Sequence, residues 1–160
     1  VTGENIGAKV SRPYGAWSIE SFDSLGGWIA SAPDLVRFAS AVDRYQQSGI
    51  LNEKTIATMI ERPAKGHFGN DENGKPDATH YGCGWSVRPM NDSKTNRWHT
   101  GSLSGTSTIL VLRHDGLCWT VLFNTNLTPD GKKPSSKIDP LVHKAADAVT
   151  AWPSHDLFND

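Results

Sequence analysis

The sequence predicts an α+β domain, a mainly antiparallel sheet flanked by helices, and three observations carry that prediction. Apolar residues recur at helical spacing in the stretches before residue 64 and after residue 136. Between them, residues 81–124 hold β-rich runs punctuated by Gly, Asn and Asp. The last two runs, 106–113 and 117–124, are joined by His114-Asp115-Gly116, a turn that returns the chain as an antiparallel hairpin.

Taken in order, residues 1–24 mix Gly, Pro, Ser and aromatic residues without a period, which reads as irregular chain held by Tyr14 and Trp17. Ser31-Ala32-Pro33-Asp34 is a helix start. Ser31 can accept from free backbone donors, Pro33 suits the first turn, and Asp34 is favoured by the helix dipole. Leu35, Phe38, Ala39, Val42 and Tyr45 follow at helical spacing, with Gly49 as the stop. Asn52 caps a shorter helix through Ile56, Met59 and Ile60, which Pro63 ends, and this helical pair is expected on the flank of the sheet. Residues 64–79, with His67, Phe68, Asp71 and Glu72, read as a long solvated loop. Strands are expected at about 81–87, 97–100, 106–113 and 117–124. A last helix, about 137–151, puts Leu141, Val142, Ala145, Ala148 and Val149 on one face before Pro153.

The 160 residues suffice for one ordinary domain, and their formal net charge of −1 carries no basic or acidic run. Nucleic acid and anionic membrane are therefore not the expected partners. The apolar runs fall far short of the roughly 18 residues that a membrane helix needs. A start at Val1 without basic or apolar leader reads as a processed product or as part of a longer protein. Cys83 and Cys118 are too few for a disulfide framework, and both fall in expected strands, where a buried thiol is the ordinary reading. Asn91-Asp92-Ser93 and Asn126-Leu127-Thr128 are glycosylation acceptors only in a glycosylating pathway.

Chemistry concentrates at Trp98-His99-Thr100-Gly101-Ser102-Leu103-Ser104-Gly105. A titratable ring, a hydroxyl and a glycine at the expected mouth of a strand would let a ligand lie against the backbone. Gly101-Ser102-Leu103-Ser104-Gly105 is not a nucleophile elbow, because Leu103 occupies the place of the serine. His80, Cys83 and His99 make only a loose set of three against the four ligands of structural zinc, so no metal is expected. Trp85, Trp98 and Trp119 suit cross-sheet packing, and Trp98 is also a candidate floor for a substrate pocket.

His99-Thr100-Gly101 resembles the Lys/His-Thr-Gly element of the serine β-lactamase, penicillin-binding protein and esterase family. Three other segments agree in order. Leu25-Gly26-Gly27-Trp28 running to Leu35-Val36-Arg37-Phe38 resembles the family's glycine pair and capped helix. Tyr81-Gly82-Cys83-Gly84-Trp85 resembles the strand before the triplet, and Arg113-His114-Asp115-Gly116 with the run to Asn126 resembles the closing hairpin. The likeness covers about residues 25–150 and the C-terminal half of the family's pattern. No Ser has Lys three residues on, and Tyr14, Tyr45 and Tyr81 are followed two residues later by Ala16, Gln47 and Cys83, so the Ser-x-x-Lys and Tyr-x-Asn elements are absent.

The resemblance implies a single partial domain, residues 1–160, belonging to a serine hydrolase that cleaves an amide, ester or β-lactam through an acyl-enzyme. His99, Thr100, Gly101 and Ser102 would be its catalytic wall, with the backbone N–H of Ser102 as one oxyanion donor, and Trp98 and Ser102 would meet the substrate. Histidine in the lysine position points to a D-aminopeptidase, carboxylesterase or lactam hydrolase more than to a dedicated β-lactamase. No cofactor is implied, and the chain alone is expected to be inactive. The expected partners are a small-molecule or peptide substrate, the missing N-terminal portion, or a second copy through an exposed sheet edge. By the same likeness a periplasmic or secreted location is favoured. The alternative is a non-catalytic binding module that keeps the groove.

Overall fold

The computed structural model describes residues 7–11, 18, 20–43, 49–64, 74, 77–91 and 94–155. Tyr14, Trp17 and Tyr45, and most of the long loop with His67, Phe68, Asp71 and Glu72, lie outside the described residues.

A short 3-10 helix, Glu20–Leu25, precedes α1, Ala32–Asp43, and α2, Glu53–Ile60. The cap of α1 is reciprocal: the Asp34 N–H donates to Ser31 Oγ at 3.3 Å, and the Ser31 N–H and hydroxyl donate to the Asp34 carboxylate at 3.0 and 2.6 Å. Those bonds hold the Asp34 carboxyl below its usual range. Asn52 caps α2 by accepting from the Thr55 N–H at 2.8 Å, and the chain turns extended at Glu61, ahead of Pro63.

Five strands follow in sheet order β1-β2-β3-β4-β5, all antiparallel: β1 His80–Tyr81, β2 Ser86–Pro89, β3 Thr95–Leu103, β4 Thr106–Leu112 and β5 Cys118–Phe123. The architecture is the expected α+β. Two strand boundaries differ from expectation. The run 81–87 is a hairpin of two short strands, because Gly82-Cys83-Gly84-Trp85 turns, with Gly84 at φ +80° and the Gly82 N–H bonded to the Trp85 carbonyl at 2.8 Å. An added Cβ on Gly82 would stand 2.3 Å from the Met59 carbonyl oxygen, so this turn is moulded onto the end of α2. The strand expected over 97–100 extends to Leu103, and the β3–β4 connection is only Ser104-Gly105, with Gly105 at φ +86°.

Strand alternation divides the sheet into two faces. Val87, Arg97, Leu112 and Cys118 stand opposite one another across four strands and share the face toward α1 and α2. The main core lies there: Ala39, Trp85, Val87 and Leu112 are buried together, with Met59, Ile60, Leu110 and Cys118 against them. Arg97 pairs with Asp43 at the end of α1. His80 is held in place as Nε2 meets the Ile60 carbonyl at 2.8 Å.

The opposite face is covered by α3, Pro134–Asp147. Fully buried Ser107 donates to Ser135 Oγ at 3.0 Å, and Trp119 stacks edge-on with His143 at 4.8 Å. The helix starts at Pro134, three residues before expectation, since proline is preorganised for a first turn, and it ends at Asp147. Its inward residues are buried Pro134 and Ser135 and half-buried Ile138, Asp139, Val142, His143 and Ala146. Of the five expected inward residues only Val142 is among them, and Leu141 is 60 % exposed, because α3 docks by small and polar groups at its start. Cys83 is exposed in the turn instead of buried in a strand, and Cys118 is half-buried. None of the described helices is long and apolar enough to cross a membrane.

Candidate functional site

The His99-Thr100-Gly101 triplet lies inside β3, paired with Leu110, Ile109 and Thr108 of β4, and not at a strand mouth as expected. What makes it accessible is the short β2. Pairing between β2 and β3 stops at Ser86↔Trp98, so among the described residues the outer side of β3 over residues 99–103 has no strand beside it. An open edge with unpaired backbone groups is a place where an extended ligand can align.

His99 faces the α1–α2 side, where it lines an apolar cleft of about 590 Å³ with Leu35, Phe38, Met59, Trp85 and Leu110. Its Nε2 lies 2.9 Å from the Tyr81 hydroxyl, and the two rings meet edge-on at 6.0 Å. Gly101 shares this face. A Cβ there would stand 2.6 Å from Thr108 Oγ1, so any larger residue would force the Thr108 side chain to shift across the β3–β4 pair.

Thr100 and Trp98 do not join His99. Neighbouring residues of a strand project to opposite faces, and both line a separate cavity of about 230 Å³ under α3, with Arg88, Asn96, Asp139 and His143. The Arg88 guanidinium sits 5.1 Å from the centre of the Trp98 ring. The expectation that the Thr100 hydroxyl stands beside His99, and that Trp98 floors the same pocket, is thus corrected by the pleat. The Ser102 hydroxyl also stays out of the cleft and accepts from Lys133 Nζ, at the start of α3. Ser102 itself lies on the stretch of β3 that β2 does not pair.

Two neighbours of the site escaped sequence reasoning. Tyr81 reaches His99 only through the β1–β2 hairpin, and Lys133 reaches Ser102 across 31 positions of chain. Neither pairing has a local sequence signal. Among the described residues no group of three or more His, Cys, Asp or Glu could hold a metal ion.

Charge pairing is densest away from the cleft, at the β4–β5 turn. Arg113 forks onto Asp115 with Nε 2.9 Å from both carboxylate oxygens, and reaches Asp147 of α3 at 2.6 Å. The Arg113 hydrogen bonds hold the Asp115 carboxyl down at about 2, and the same bonds push Arg113 up.

The structure is thus an antiparallel sheet with helices on both faces, in which the strand carrying His99-Thr100-Gly101 is open along one edge among the described residues. A family model, Beta-lactamase, matches residues 2–140, and the chain belongs to that family, which is of serine-hydrolase type. The match begins well before the residues near 25 at which the motif likeness starts. No curated protein and no solved structure matches the chain.

Proposed function

We propose that this chain contributes one wall of a serine hydrolase site that cleaves an ester, amide or β-lactam through an acyl-enzyme. The observation that carries the reading is the open edge of β3 at residues 99–103, with His99 of the same stretch facing the apolar cleft. A substrate aligned on that edge would meet the Ser102 N–H as an oxyanion donor and His99 as a positioned polar group, while Gly101 keeps a side chain out of its path. The nucleophile would come from a segment bearing Ser-x-x-Lys, since no such element occurs in these residues. With the side chains of Thr100, Ser102 and Trp98 on the far face, their part in turnover would come through the backbone and packing.

Histidine in place of lysine favours esters, D-amino-acid amides and lactams as substrates over a dedicated β-lactamase activity. The reading of the chain as the C-terminal part of the catalytic domain is supported by the order of its four motif segments. The test is covalent: a fluorophosphonate or penicillin probe should add one acyl or phosphonyl mass to protein carrying the upstream Ser-x-x-Lys segment, and none to these 160 residues alone. Labelling of the isolated chain that Ser102→Ala abolishes would make Ser102 the nucleophile and overturn the assignment. Failure of any longer form to label would favour the non-catalytic binding module.

A further inference from the structure

We infer that Tyr81 is a positioning residue that sets which nitrogen of His99 meets the substrate. This rests on the role of His99 proposed above. The Tyr81 hydroxyl and His99 Nε2 are 2.9 Å apart, and no other partner of the His99 ring exists among the described residues. A neutral imidazole has one N–H donor and one bare nitrogen acceptor. A phenol is the stronger donor of this pair and a bare imidazole nitrogen the stronger acceptor, so the phenol donates to Nε2. The neutral ring is then held with its proton on Nδ1.

The consequence is chemical. With Nε2 occupied, Nδ1–H is the group left to the cleft, and in its neutral form His99 acts on the substrate as a hydrogen-bond donor and not as the base that takes a proton. A donor on the wall opposite the nucleophile holds a carbonyl or polar leaving group, in place of the charge that lysine would supply. Tyr81 can do this because the Gly82-Cys83-Gly84-Trp85 turn is packed on the Met59 carbonyl, with the Cys83 N–H bonded to it at 2.8 Å. The hairpin that carries the phenol is therefore anchored to α2, and the edge-on ring contact adds a second restraint on the imidazole plane.

The experiment reads the tautomer directly, by two-bond 1H–15N correlation spectra of the 160-residue chain with His99 neutral, compared with Tyr81→Phe. Tyr81 is about half exposed, so loss of one oxygen leaves the fold in place, and the backbone amide spectrum checks this. The wild-type ring should show the Nδ1–H pattern, and Tyr81→Phe should abolish that preference. In a protein carrying the nucleophile, Tyr81→Phe should lower kcat about tenfold with KM little changed. An Nε2–H ring in the wild type, or a tautomer indifferent to Tyr81→Phe, overturns the inference. If the tautomer responds but His99→Ala leaves turnover untouched, Tyr81 still sets the ring and the catalytic reading of His99 is what fails.

Discussion

The two faces of the sheet are built from the same strands yet do different work. The face toward α1 and α2 is mainly apolar beside the Arg97–Asp43 pair, with Ala39, Trp85, Val87 and Leu112 closed into a core and an open cleft leading to His99. The face under α3 is mixed, with a buried Ser107–Ser135 hydrogen bond, Arg88 over Trp98, and Asp139 and His143 beside them. One residue of register separates the two environments. A motif read as a block of adjacent letters is therefore divided by the pleat: His99 lines the cleft and Gly101 shares its face, while Trp98, Thr100 and Ser102 go to the other side.

If the apolar face carries most of the stability, truncating it should cost most. Leu112→Ala should lower the unfolding free energy by about 2–5 kcal/mol, read by urea denaturation, because Leu112 is 3 % exposed and its neighbours close around it. A loss under about 1 kcal/mol would show that the α1–α2 face is loosely packed. Arg113→Ala should cost about 1–3 kcal/mol, since it removes the ties from the β4–β5 turn to Asp115 and to α3. On the α3 face Ser107→Ala should cost only about 1 kcal/mol, the worth of one buried hydroxyl bond. An effect as large as that of Leu112→Ala would erase the contrast between the faces.

The smallest effect expected is a pH dependence. Asp115 titrates at about 2 in the folded protein, below the roughly 3.9 of an unfolded aspartate. The folded state therefore binds this proton less readily than the unfolded state. Its contribution is fully present above about pH 4 and fades as pH falls toward 2. Asp115 is about a third exposed, so solvent reduces the contribution to about 1 kcal/mol. Asp115→Asn should flatten the fall in urea midpoint between pH 4 and pH 2, and an unchanged slope would assign the acid sensitivity to other carboxylates.

Much of the frame was legible because its signals are local. Ser31 with Asp34, Asn52 with Thr55, and the Arg113–Leu117 turn are each closed by residues two to four apart, and their hydrogen bonds form as their types suggest. The strand edges were not legible where distant groups decide them. Gly82 turns because the Met59 carbonyl lies against it, and Gly101 falls just past the strand expected over 97–100 but serves as a strand residue opposite Thr108. The inner face of α3 was misassigned because it follows polar contacts to Ser107, Trp119 and Arg113 rather than apolar periodicity. For the candidate site, the triplet itself stood out, while its division between faces and the Tyr81 contact required the pairing register.

His99, on the open edge of β3, is the side chain proposed to serve turnover. The decisive measurement is kcat/KM for His99→Ala beside Thr100→Val in protein that carries the nucleophile, with unfolding free energies for both. A fall of about 100-fold is expected for His99→Ala with under about 1 kcal/mol lost in stability, and less than about fivefold for Thr100→Val. Equal losses for the two variants, or a His99→Ala protein that unfolds while its folded fraction stays fully active, would contradict that role.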